Sequence, residues 1–151
     1  MAFGAKYAHT NLVARDWRAL ADFYVRLFGC EPAGPERDYA GEELDAGTGL
    51  HGAHLTGQHL RLPGFGEHGP TLEIFNYADL AQALPTAVNR PGYGHIAFGV
   101  DDVAGARAAV LAAGGSAVGE VVTLTTATGG RVTWCYVADP EGNVIELQSW
   151  A

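Results

Sequence analysis

The chain has 151 residues and a mass of 15.9 kDa, enough for one domain or for two half-sized modules sharing a core. With 48% hydrophobic residues and a mean hydropathy of +0.03, it has the composition of a globular protein, which excludes a disordered tail. A formal charge of −8, with nine Lys and Arg residues scattered singly, leaves no basic patch for a nucleic acid, so no nucleic-acid partner is expected.

No apolar run approaches the ~20 residues that a membrane span needs, so no membrane partner is expected. Met1 to Lys6 lacks the basic and apolar pattern of a signal peptide, and a cytoplasmic location is the expectation. Cys30 and Cys135 are too few for a disulfide scaffold. Cys135 lies in the strand-like run Val132–Val137 and is expected to be a buried structural thiol.

In chain order, His9 leads a short strand pattern, and Asp16 is placed to cap a helix over about Trp17–Phe28. That helix has Trp17, Leu20, Ala21, Tyr24, Leu27 and Phe28 at amphipathic spacing, and Gly29 ends it. Two strands follow at about Glu31–Tyr39 and Ala53–Leu62, separated by a short helix or lid near Gly41–Gly47. After the turn residues Pro63 and Gly64, the segment Gly69–Tyr77 reads as the last strand of the copy, with Glu73 among aliphatic residues.

A proline-bearing link over about 78–93 leads to a second copy of the pattern. His95 leads a strand, Asp102 caps a helix over about Val103–Ala113, and Gly114-Gly115 ends it. Strands are expected at Ser116–Thr125 and Arg131–Val137, and the turn Asp139-Pro140-Glu141-Gly142 precedes a last strand bearing Glu146. The first copy is longer by about thirteen residues between its His and its Glu, which fits the inserted lid.

The repeat predicts an α+β fold of two tandem βαβββ modules, about 5–77 and 94–151, within a single domain 1–151. Its curved mixed β-sheet is expected to enclose a cleft, with the helices outside. Strand alternation turns His9, Asn11, Glu73 and Phe75 to the face opposite the helix, and likewise His95, Glu146 and Gln148. A carboxylate in an apolar strand is costly to bury uncompensated. Two such carboxylates, each matched with a His, suit a divalent first-row metal.

The doubled pattern, with these residues on the first and last strands of each module, resembles the vicinal oxygen chelate superfamily. That group includes glyoxalase I, methylmalonyl-CoA epimerase, extradiol dioxygenases, and fosfomycin and bleomycin resistance proteins. The likeness is carried by His9–Phe28, Gly69–Tyr77, Gly94–Asp102 and Ala138–Trp150, and most specifically by Val137–Leu147. It implies a divalent ion (Ni, Co, Zn, Mn or Fe) with His9, Glu73, His95 and Glu146 as ligands, the set of bacterial glyoxalase I. Epimerases of the family tend to have Gln at the position of Glu73, so the chain departs from them there. The resemblance also implies a homodimer.

Three activities follow from this likeness. The first is a glyoxalase-type isomerase or lyase, in which the ion chelates vicinal substrate oxygens and proton transfer passes through an enolate or enediolate. Glu146 is assigned as its base and Glu73 as ligand, although both glutamates are catalytic candidates and the sequence does not separate them. The second is an iron-dependent dioxygenase, or another enzyme acting on an aromatic or polyketide-like substrate. The third is a protein that sequesters an antibiotic, against which four intact ligands count.

Substrate contacts are expected from Asn11, Phe75, Tyr93, Arg61, Trp134 and Gln148. Phe75, Tyr93 and Trp134, with Tyr136 and Trp150, are candidates for an aromatic wall. Arg15, Arg61 and Arg90 form no cluster, which weakens a CoA substrate. His51, His54, His59 and His68 are expected to face solvent, with the alternative that His59 or Arg61, which share one strand face, reaches the substrate.

Overall fold

The computed structural model describes residues 3–151, which form two compact units divided in sequence between Gln82 and Ala83. The first contains β1 (His9–Val13), α1 (Trp17–Phe28), β2 (Glu31–Ala40), α2 (Glu42–Thr48), β3 (His54–Arg61) and β4 (Thr71–Tyr77). Its sheet runs β1-β4-β3-β2, with β1 parallel to β4 and the other pairs antiparallel.

The second unit contains β5 (Ile96–Gly99), α3 (Val103–Ala112), β6 (Ser116–Ala117), β7 (Val122–Thr125), β8 (Arg131–Ala138) and β9 (Val144–Trp150). Its sheet runs β5-β9-β8-β6, and β7 also pairs with β8. Here too the first strand lies parallel to the last. Each unit is therefore the expected βαβββ module, with α2 as an insertion in the first.

Both principal helices start on the predicted aspartates. Asp16 accepts from the Ala19 amide at 3.0 Å and Asp102 from the Gly105 amide at 3.0 Å. Such a cap satisfies a free amide of the first turn and stabilises by about 1 kcal/mol. Gly29 ends α1 in the left-handed conformation, at φ 67°. α1 buries Trp17, Leu20, Ala21, Phe23 and Tyr24, and packs on β3 and β4. Each large side chain so buried contributes about 1.5–3 kcal/mol. On α3, Val103 and Val110 are buried, and the helix packs on β8 and β9.

The predicted strand Ser116–Thr125 is in fact two. The amides of Val118 and Gly119 both point at the Tyr136 carbonyl, and the pairing with β8 slips between β6 and β7. This local insertion splits the strand as a bulge does. β2 carries a similar irregularity between Ala33 and Arg37. There the buried Gln58 amide donates to the Gly34 carbonyl at 2.8 Å, satisfying a group the ladder leaves free. Cys30 and Cys135 are both buried free thiols, as expected of structural cysteines. Among the described residues no helix is long and apolar enough to cross a membrane.

Candidate metal centre

In the first unit, β1 and β4 lie side by side with His9 opposite Thr71 and Asn11 opposite Glu73. The chain leaves β1 under close control: the Ala14 amide donates to the Phe75 carbonyl at 2.8 Å, and Asn76 donates to the Ala14 carbonyl at 3.0 Å. His9 and Glu73 thus share a face, with His9 Nε2 3.7 Å from Glu73 Oε1. Glu73 is only 8% exposed although it lies opposite the face that Leu72 and Ile74 turn to the core.

Its burial is compensated from two sides. Asn11 Nδ2 donates to Oε1 at 2.8 Å, and His59 Nε2 lies 2.7 Å from Oε2. His59 belongs to β3, directly opposite Glu73 in the antiparallel ladder. Its other ring nitrogen, Nδ1, bonds the Thr71 hydroxyl at 3.0 Å, and its ring meets His9 edge-on at 5.5 Å. Burial pushes the His59 pKa below its usual value, reinforced by Arg37 and His9; the Glu73 carboxylate opposes that shift without overcoming it. The imidazole is therefore predominantly neutral near pH 7, with a nitrogen lone pair available to a metal.

His9, His59 and Glu73 each offer one ligand atom, and these three atoms lie within 4.8 Å of one another. This is the donor chemistry of a borderline divalent ion: imidazole nitrogen and carboxylate oxygen, without thiolate. The expectation that His59 faces solvent is corrected, since its side chain is 19% exposed and held at both nitrogens. His51, His54 and His68 are exposed as expected, and His54 pairs with Asp38 at 2.7 Å. A sequence signal for His59 exists: reflecting Glu73 through Gly66, in the middle of the β3–β4 turn, lands on residue 59.

The second unit repeats the pair and changes the third member. His95 Nε2 lies 3.1 Å from Glu146 Oε2. Opposite Glu146 on β8 stands Tyr136, whose ring is 5.0 Å from both the His95 and the Trp134 rings. Burial, and next the Glu146 carboxylate, push the Tyr136 hydroxyl above the usual tyrosine range. At the position matching Asn11 stands Ala97, which has no side-chain donor for Glu146.

The remaining expected contacts divide. Phe75 is buried, with its ring 6.2 Å from that of His59. Gly57 makes this possible, since a Cβ there would collide with the Phe75 ring and the Ile74 carbonyl. Arg61 is drawn to Glu31 at 3.0 Å, and Gln148 Oε1 accepts from Trp150 Nε1 at 2.7 Å. Tyr93 is 103% exposed and joins no aromatic cluster, so the expected wall loses that member.

The sequence model of the Glyoxalase/Bleomycin resistance protein/Dioxygenase superfamily matches residues 6–147. The chain belongs to this superfamily. Among curated relatives of this glyoxalase-superfamily chain, a probable lactoylglutathione lyase of Vibrio parahaemolyticus is 35% identical over 91 residues. That match spans 58% of the chain and 60% of the relative's length. A glyoxalase family protein from Bacillus cereus shares the fold at TM-score 0.81 and 20% identity, covering 99% of both chains. A fosfomycin resistance protein from Listeria monocytogenes, solved with Mn(II) and sulfate, aligns at TM-score 0.51 and 15% identity. It covers 98% of this chain and 93% of its own.

Proposed function

We propose that the protein is a metal-dependent isomerase or lyase of the glyoxalase type, moving a proton between adjacent carbons of a substrate with two vicinal oxygens. The observation that supports this most is the unequal holding of the two strand glutamates. Glu73 is buried and gripped by Asn11 and His59, whereas Glu146 has His95 beside it and Ala97 where Asn11 would be. A fixed carboxylate suits a ligand, and a loosely held one suits a base. The relative named as a probable lactoylglutathione lyase points the same way.

His9, Glu73, His95 and Glu146 are the proposed ligands, each His offering Nε2 toward its Glu. A divalent ion so bound supplies Lewis-acid polarisation of the substrate oxygens, which acidifies the intervening C–H. Glu146 takes that proton and returns it to the neighbouring carbon. Trp134 beside Tyr136 is the proposed flat apolar surface for the substrate, with the buried Phe75 ring supporting His59. The proposal includes a homodimer, which sedimentation measures directly.

The test follows the proton. The metal-loaded protein is given hemithioacetals of thiols and 2-oxoaldehydes in deuterated water, and thioester formation and solvent deuterium in the product are measured. Turnover is expected, and Glu146→Gln should lose it by at least about 100-fold. Equal turnover in Glu146→Gln, or none by the wild type on any vicinal dicarbonyl adduct, would overturn the reading. A second reading draws on His9, His59 and Glu73, the two-imidazole, one-carboxylate donor set also used for non-haem iron oxygenation. Oxygen uptake with a catechol and Fe(II) would select it.

A further inference from the structure

We propose that His59 is itself a metal ligand, so that the first unit supplies three protein donors: His9 Nε2, His59 Nε2 and a Glu73 oxygen. This deepens the proposed function and rests on its premise that the protein binds a divalent ion. It differs from the four-residue ligand set by a residue that has no counterpart in the second unit.

Three observations carry it. The first is register: β3 pairs with β4 so that His59 stands directly across from Glu73, while the matching position across from Glu146 is Tyr136, which offers no imidazole. The second is convergence: His9, His59 and Glu73 each offer one ligand atom within 4.8 Å of the other two, and Nε2 is the nitrogen that both histidines turn to the carboxylate.

The third is support from behind. A ligating imidazole needs its far nitrogen held, so that ring orientation and tautomer are fixed. His59 Nδ1 is held by the Thr71 hydroxyl at 3.0 Å, on the strand that also carries Glu73. A hydroxyl serves either tautomer, because it donates to a bare nitrogen and accepts from an N–H. Without an ion, Nε2–H bonds Glu73 at 2.7 Å and Thr71 donates to Nδ1. With an ion at Nε2, the proton resides on Nδ1 and Thr71 accepts it. The ring changes from a hydrogen-bond partner to a ligand without losing its anchor.

The experiment uses the full chain freed of metal by chelation and titrated with Co(II). Visible d–d absorption gives affinity and coordination, and proton NMR resolves hyperfine-shifted exchangeable imidazole N–H signals. The wild type should bind Co(II), and His59→Gln should weaken binding by about tenfold or more. The His59 variant should also lose one shifted N–H signal and alter the d–d bands. Thr71→Val leaves the imidazole in place and provides a milder second variant, expected to weaken binding several-fold and to broaden the same signal by faster exchange. Circular dichroism checks that each variant is folded.

Unchanged affinity, spectrum and N–H count in folded His59→Gln, with binding lost in His9→Ala and His95→Ala, would overturn the inference and leave the proposed function standing. Absence of Co(II) binding by the wild type would overturn both.

Discussion

His59 and Tyr136 hold the same place in the two halves of the repeat, each directly across an antiparallel ladder from the glutamate of the neighbouring strand. One is an imidazole against a buried carboxylate, the other a phenol against a half-buried one. The duplication thus keeps the His and Glu of each unit and varies the side chain that stands over the Glu.

This difference gives Tyr136 a titration of its own. Burial, followed by the Glu146 carboxylate, raises its pKa, so among the chain's six tyrosines it should ionise above the ordinary range. The difference in tyrosinate absorbance between wild type and Tyr136→Phe, in which the enclosed Tyr24 cancels, should show a late transition. Glu146→Gln should move that transition to lower pH without restoring the ordinary value, because burial remains. An unshifted transition in Glu146→Gln would contradict the contact.

Gly57 is a packing requirement of the site. A methyl group there would meet the Phe75 ring and the Ile74 carbonyl, and the carbonyl belongs to a strand that cannot move alone. Gly57→Ala should cost about 1–3 kcal/mol in urea unfolding. It should also disturb the His59 ring against which Phe75 rests, seen as a changed His59 imidazole chemical shift. A neutral substitution at both readouts would refute the close fit.

The β8–β9 turn depends on Asp139, which is 2% exposed and accepts from the Glu141 and Asn143 amides, each at 2.9 Å, and from Asn143 Nδ2 at 2.8 Å. Asp139→Ala leaves these donors without their acceptor and should destabilise by about 2–4 kcal/mol. Because this turn sets the register that puts Tyr136 across from Glu146, the variant should also lose the late tyrosine transition. Thermal unfolding and the tyrosine titration together decide this.

Cys30 is completely enclosed, and burial pushes its thiol up to about 11. The folded-state pKa lies above the unfolded one, so its contribution to stability is fully present below the unfolded value and is lost as pH rises toward 11. The loss amounts to about 2–3 kcal/mol over that window. The stability difference between wild type and Cys30→Ala should therefore shrink from pH 8 to pH 11. At pH 8 the native thiol should resist alkylation until urea unfolds the chain, and ready labelling of the folded protein would count against its enclosure.

Much of the fold was legible because the repeat marks its own boundaries. Asp16 and Asp102 announce the helices, Gly29 ends the first, and the second closes at Ala113 just before Gly114; alternation puts His9 on the face of Glu73, and Glu146 on the face that His95 reaches. What alternation does not give is which residue of a neighbouring strand stands opposite. By face alone His59 resembles the solvent-exposed His51, His54 and His68, and its pairing with Glu73 is a matter of register. The break at Val118 and Gly119 was hidden for a related reason: the valine-rich stretch around it reads as strand, and only the partner carbonyl of Tyr136 shows the slip.

The parallel pairing of β1 with β4 has a kinetic meaning. These are the first and last strands of their unit, so bringing His9 and Glu73 together closes the longest loop of the sheet and should come late in folding. The adjacent ladders β2–β3 and β3–β4 close shorter loops and should form earlier, leaving β1 as the last strand to dock and the first to detach. An ion shared by His9 on β1 with His59 and Glu73 on the preformed hairpin would act as a rivet across that seam. It would slow the departure of β1 while leaving the rate at which the hairpin forms almost unchanged.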